Sequence, residues 1–125
     1  MQGEYVYLVQ AHYGLDDMAC DDRVGCYRTR RDAEKLEEKL CEFKQWYSDA
    51  SKQRPPLPLE VTEDFEEYCR AEEEEQALWK LQVSAKLYQM GLDVLEGVID
   101  IANVVEYNLD VYFSTQELKV LRGVA

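Results

Sequence analysis

Apolar and polar positions change rhythm several times along this chain, and each rhythm predicts an element. From Glu4 to His12 both alternate faces are apolar, with Val6 and Leu8 on one and Tyr5, Tyr7 and Val9 on the other. A strand apolar on both faces is expected in the middle of a sheet rather than at its edge. Gly14 to Asp22 then interrupts with a glycine and the aspartates Asp16, Asp17, Asp21 and Asp22, as a hairpin loop does. Arg23 to Arg28 reads as a second short strand, with Val24 and Cys26 facing one way and Tyr27 the other.

The rhythm next becomes helical. The Thr29 hydroxyl is placed to accept an N–H two or three residues on, and Asp32 puts negative charge where the helix dipole favours it. Ala33, Leu36, Leu40, Phe43 and Tyr47 recur at intervals of 3, 4, 3 and 4, which places all five on one stripe. The helix they predict runs to about Ser51, and Arg54-Pro55-Pro56-Leu57-Pro58 must end it, since proline is not tolerated in a helix interior. Thr62, Glu63 and Asp64 repeat the capping chemistry, and Phe65, Tyr68 and Cys69 are expected to face inward. The apolar pattern lapses across Arg70 to Gln76 and resumes at Leu78, Leu81, Ala85, Tyr88 and Leu92. One long helix or two with a bend near Glu72 fit this pattern. Two are preferred, because a helix of about 30 residues spans roughly 45 Å and outreaches so small a domain. Gly91 is placed to close the last turn.

Between Leu92 and Asn103 the pattern fits a short helix or a series of turns. Val105, Tyr107, Leu109, Val111 and Phe113 then alternate with Glu106, Asn108, Asp110, Tyr112 and Ser114, predicting a half-buried strand with one wet face. Ser114 followed by Glu117 matches a capping box and predicts a short C-terminal helix through Leu121. Strand, strand, helices and strand in this order predict a single α+β domain over residues 1–125. Its sheet is expected to be small and antiparallel, of about three strands, with helices packed on one face and the last strand beside the first.

A chain of 125 residues suits one core, and 46% apolar residues can fill it although 32% are charged. No run of 18 apolar residues and no secretory leader is evident, which points to the cytoplasm, that of a host bacterium if the chain is phage-encoded. Cys20, Cys26, Cys41 and Cys69 show no C-x-x-C pair and are read as free thiols. Trp46, Tyr47 and Trp79 exceed what one small core readily covers and leave a homodimer open.

Candidate chemistry is sparse. His12 is the lone histidine, and no spacing around it suggests a Ser-His-Asp or Cys-His arrangement, so a non-enzymatic protein without a cofactor is expected. A metal-dependent module around His12, Cys20 and Cys26 is the weaker alternative, because spacings of 8 and 6 fit none of the usual zinc patterns. The aspartates of the hairpin lack the order of a calcium loop, and no phosphate-binding glycine motif is present.

Charge changes the picture most. The 26 acidic and 14 basic residues leave a net charge of −12, and two-thirds of it lies between Glu60 and Glu75, where only Arg70 is basic. Glu34, Glu38 and Glu42 form a row on the first helix, each about 6 Å from the next. With Glu63, Asp64, Glu66, Glu67, Glu72, Glu73, Glu74 and Glu75 they are the candidate partner-binding residues. Regularly spaced carboxylates imitate a phosphate backbone and are drawn to basic clefts that hold nucleic acid. Direct binding of DNA or RNA is disfavoured, since Arg23, Arg28, Arg30 and Arg31 are the sole basic cluster.

Tyr5-Val6-Tyr7-Leu8-Val9 at the start, Gly25-Cys26-Tyr27-Arg28-Thr29 leading into Asp32-Ala33-Glu34-Lys35-Leu36, and a late strand from Val105 to Phe113 give a layout that resembles small acidic accessory proteins of phages and mobile elements. Anti-CRISPR proteins are the best-known inhibitors of this kind. The resemblance implies a stoichiometric inhibitor, a DNA mimic that blocks a basic nucleic-acid-binding protein or nuclease complex. An immunity protein or antitoxin covering a basic toxin is the alternative with the same surface physics.

Overall fold

The doubly apolar first strand, β1 (Tyr5–Leu15), takes the central place in the sheet. The computed structural model describes residues 4–15, 18–54, 65–108 and 110–120. β2 (Met18–Tyr27) pairs antiparallel with one side of β1, and β3 (Tyr112–Lys119) pairs antiparallel with the other, giving the order β2-β1-β3. β2 starts earlier than its apolar residues suggest. Asp21 and Asp22, expected in a loop, stand in the ladder opposite His12 and Ala11. Tyr13 donates a hydrogen bond to Asp22, which gives that carboxylate a partner inside the sheet. Val24 and Cys26 do not share a face as predicted: Val24 is buried and Cys26 exposed. The register slips between Val9 and Gln10, and a bulge of this kind resets the alternation that the expectation assumed.

α1 (Arg30–Lys52) begins where Thr29 predicts, its hydroxyl accepting the Asp32 N–H at 3.2 Å. All five stripe residues, Ala33, Leu36, Leu40, Phe43 and Tyr47, are buried. They lie against the sheet face that carries Val9, Ala11 and Phe113. Gly25 permits this approach, for a Cβ there would come within 3.2 Å of Leu36 and 3.1 Å of the Tyr27 ring. Two polar contacts fix the helix along β3. Lys44 Nζ donates to the Val111 carbonyl and Thr115 Oγ1 donates to Glu37, each at 2.6 Å.

α2 (Phe65–Gln89) is one continuous helix, without the bend expected near Glu72. The length objection fails because its first half reaches beyond the close-packed core: Phe65 is 70% exposed instead of facing inward, and Tyr68 and Cys69 are only half-buried. Its core face is also a different one. Trp79 and Val83 are buried, whereas Leu78, Leu81 and Tyr88 are exposed. Two apolar stripes compete on this helix, and the one with the indole prevails because an aromatic ring removes more apolar area from water.

Gly91 closes α2 in the left-handed region at φ 74, and a single 3-10 turn, Leu92–Leu95, buries both its leucines. α3 (Ile101–Tyr107) follows, capped by Asp100, whose carboxylate accepts the Asn103 N–H at 3.2 Å. Val105 and Tyr107 are thus helical, not the start of a strand. Their alternation is overridden by Ile101, Val104 and Val105, which share a helical face and enter the core together. The C-terminal helix expected from Ser114 is also absent from the described residues, because β3 runs on to Lys119. The two groups of the supposed capping box are engaged elsewhere: Ser114 bonds His12, and Glu117 pairs with Arg30 at 3.2 Å. Leu109, Leu121 and the segment 55–64, with its prolines and Thr62, lie outside the described residues.

Candidate functional site

Helical spacing puts Glu34, Glu38 and Glu42 on the side of α1 opposite its core stripe, and all three are exposed. Glu66, Glu67, Glu72, Glu73 and Glu74 are exposed on the first half of α2. Glu63 and Asp64 fall outside the described residues. Successive residues turn by about 100° around a helix, so Glu72 to Glu75 ring α2 rather than line one face. Glu75 turns inward and pairs with Arg54 at 3.4 Å. The acidic surface is therefore a row on α1 and a collar on α2, not a single flat patch.

His12 acquires partners that its local sequence does not announce. The β1–β2 register sets Asp21 directly opposite it, and β3 brings Ser114 from 102 residues away. Asp21 Oδ1 lies 2.6 Å from His12 Nδ1, and Ser114 Oγ lies 2.6 Å from Nε2. In the tautomer that carries its proton on Nδ1, the ring donates to Asp21 and accepts the Ser114 hydroxyl at Nε2. Tyr112 stacks on the ring at a centroid distance of 4.6 Å. This is the nucleophile, base and orienter order of a hydrolytic triad, which sequence spacing did not suggest. Among the described residues the rest of such a site is not assembled around it. β1 is paired on both sides, so its backbone N–H groups are held in the ladders instead of converging on an oxyanion. The Asp21 side chain is 61% exposed and that of His12 17%, so the network is open at its Asp21 end. What the two hydrogen bonds and the ring stack do is tie β1 to both neighbours in one register.

The metal-ligand alternative is not assembled. Directly opposed residues share a face, so Cys20 opposite Tyr13 lies on the other side of the sheet from His12 opposite Asp21. Cys26 sits opposite Leu8, four residues or about 13 Å further along. Among the described residues no group of three or more His, Cys, Asp or Glu could hold a metal ion. All four cysteines are free thiols. No described helix is long and apolar enough to cross a membrane.

The chain matches no family model, no curated protein and no solved structure. Its surface must be read from its own residues.

The outward face of α2 is the part that sequence reasoning misplaced. Leu78, Leu81 and Tyr88 are 63%, 66% and 74% exposed, and Ala85 between them is exposed too. Beside this ridge an open groove of about 1030 Å³ runs between α1 and α2, lined by Trp46, Ala50, Arg54, Leu78 and Ala85 among others. Trp46 and Trp79 stack there at 6.0 Å with their planes 5° apart. Arg54 lies 4.7 Å from the Trp79 ring centre and Lys86 5.8 Å from that of Trp46, so a cation covers each indole. One sign of this arrangement was present in the sequence: Trp79, Val83 and Leu87 form a second stripe on the other side of α2.

Proposed function

We propose that this protein is a non-enzymatic inhibitor that binds a basic nucleic-acid-handling protein or nuclease complex, as its resemblance to the anti-CRISPR type of phage protein implies. The observation that supports it is the exposure of the carboxylates on ordered helices: Glu34, Glu38 and Glu42 on α1, and Glu66, Glu67, Glu72, Glu73 and Glu74 on α2. Held on rigid backbone, these charges are fixed before any encounter. A partner's cationic cleft meets them without the ordering cost that a disordered acidic tail incurs.

The test is displacement of a labelled duplex from basic nuclease complexes, followed by fluorescence anisotropy. The protein is expected to release the duplex at low salt, and progressively less as added salt shortens the reach of its field. Reversing Glu72, Glu73 and Glu74 to lysine should abolish release while leaving the circular dichroism spectrum intact. Release by the triple variant equal to that of the parent rejects the acidic surface as the binding element.

A further inference from the structure

We infer that the outward stripe of α2 is the contact face of an antiparallel homodimer. This does not rest on the acidic-surface reading, because the residues involved are uncharged. Leu78, Leu81, Ala85 and Tyr88 are spaced 3, 4 and 3, the interval at which one helix presents knobs to the holes of another. A helix apolar on two opposite sides is expected where both sides are covered, and here the described residues cover only the side of Trp79 and Val83. The element with a matching interval is α2 of a second copy.

The flanks of the stripe say which occupant fits. Ala77, Gln82, Ser84 and Gln89 border it, all exposed and all neutral. On a chain of net charge −12 this neutral border is where a second copy can approach without like-charge repulsion. A strongly basic partner would instead be matched by carboxylates beside the seam, and those lie further along the helix, at Glu72 to Glu74.

Charge also sets the direction. In a parallel pair Glu67 and Glu74, which continue the seam toward the N-terminus, would face their own copies. Centred near Val83, an antiparallel pair sets Leu78 against Tyr88 and Leu81 against Ala85. It carries the two Glu74 residues to opposite ends, about 27 Å apart, well beyond the ~8 Å over which salt leaves charges visible to one another. The stripe offers roughly 400 Å² of apolar surface per copy, about 800 Å² for the pair, which is below the size of stable interfaces and in the range of weak, transient ones. The association is expected to be weak and visible only when concentration is varied.

Sedimentation equilibrium of the whole chain from ~1 to ~300 μM is the experiment, a range that extends to weak affinities. The apparent mass should rise from one chain to two. Leu81→Glu and Tyr88→Glu, both at exposed positions, should stay at one chain throughout with unchanged circular dichroism. In the antiparallel register Leu78 of one copy meets Tyr88 of the other, so an oxidised mixture of Leu78→Cys and Tyr88→Cys chains should form a 78–88′ disulfide identifiable by peptide mass. A parent chain that stays monomeric overturns the proposal and assigns the ridge to a different protein. A Leu81→Glu variant that dimerises like the parent overturns it by placing the contact elsewhere, and a dimer that yields no 78–88′ bridge overturns the antiparallel arrangement.

Discussion

Tyr13 and Asp22 show how one hydrogen bond can leave a mark on pH dependence. The bond to Asp22 is the first cause, with burial and the Asp22 charge adding to it, and together they push the Tyr13 phenol up to about 12 from its ordinary value of 10.0. A raised tyrosine means that the folded state prefers the protonated form. The bond's contribution is therefore complete below pH 10 and fades as pH rises toward 12. Urea unfolding across pH 8 to 12 should show this decline in the parent and a flatter profile in Tyr13→Phe. At His12 the expectation is structural: His12→Ala should cost about 1–2 kcal/mol, since it leaves Asp21 and Ser114 without a shared partner. Ser114 should also stay unlabelled by a fluorophosphonate probe, and stoichiometric labelling would make the network an active site after all. Legibility at this scale follows sequence distance. Thr29 and Asp32 are three residues apart and their bond could be read directly, whereas Ser114 reaches His12 only through a strand register that no local pattern encodes.

Among the elements, α1 is the one the sequence specifies fully, because its cap, its five-residue stripe and its dipole charge all agree. Phe43, fully buried among Trp46 and Tyr47, should lose about 3–5 kcal/mol as alanine in chemical denaturation. Thr29→Ala should lose about 1 kcal/mol. α2 was legible as helical, but a bend was expected where the helix is continuous, and the side that faces the core was not legible. Its two stripes are both apolar, and only tertiary packing of Trp79 on Trp46 and Tyr47 decides between them. The asymmetry can be measured at low protein concentration. Trp79→Ala should cost several kcal/mol, while Leu81→Ala should change stability by no more than about 0.5 kcal/mol, the range of ordinary surface substitutions. The C-terminal region was misread because the alternation of apolar and polar residues over Val105 to Phe113 overlaps, at Val105, a helical triad of Ile101, Val104 and Val105 that begins before it. The Asp100 cap settles the contest in favour of the helix.

For the molecule as a whole, composition and element order were enough to give an α+β domain with its first strand central, because a doubly apolar strand has only one comfortable place in a small sheet. The acidic excess was equally plain, but its distribution was not. A run of glutamates reads as a patch in one dimension and becomes a collar once it is wound into a helix. A net charge of −12 should still cost the folded state some self-repulsion, so thermal unfolding is expected to shift upward between low and moderate salt.

The pairing of β1 with β3, Tyr5 against Lys119, also dictates an order of events during synthesis. The hairpin of β1 and β2 can form while most of the chain is still inside or upon the ribosome, but the second edge of β1 stays bare until β3 emerges. Joining strands that far apart in sequence is slow compared with winding α1, since a long loop must close before the contact offers any return. For that interval the nascent molecule exposes a hydrogen-bonding edge flanked by Tyr, Val and Leu side chains. It is the stage at which a chaperone, or the same strand of a neighbouring polysome-bound chain, has its best opportunity to bind.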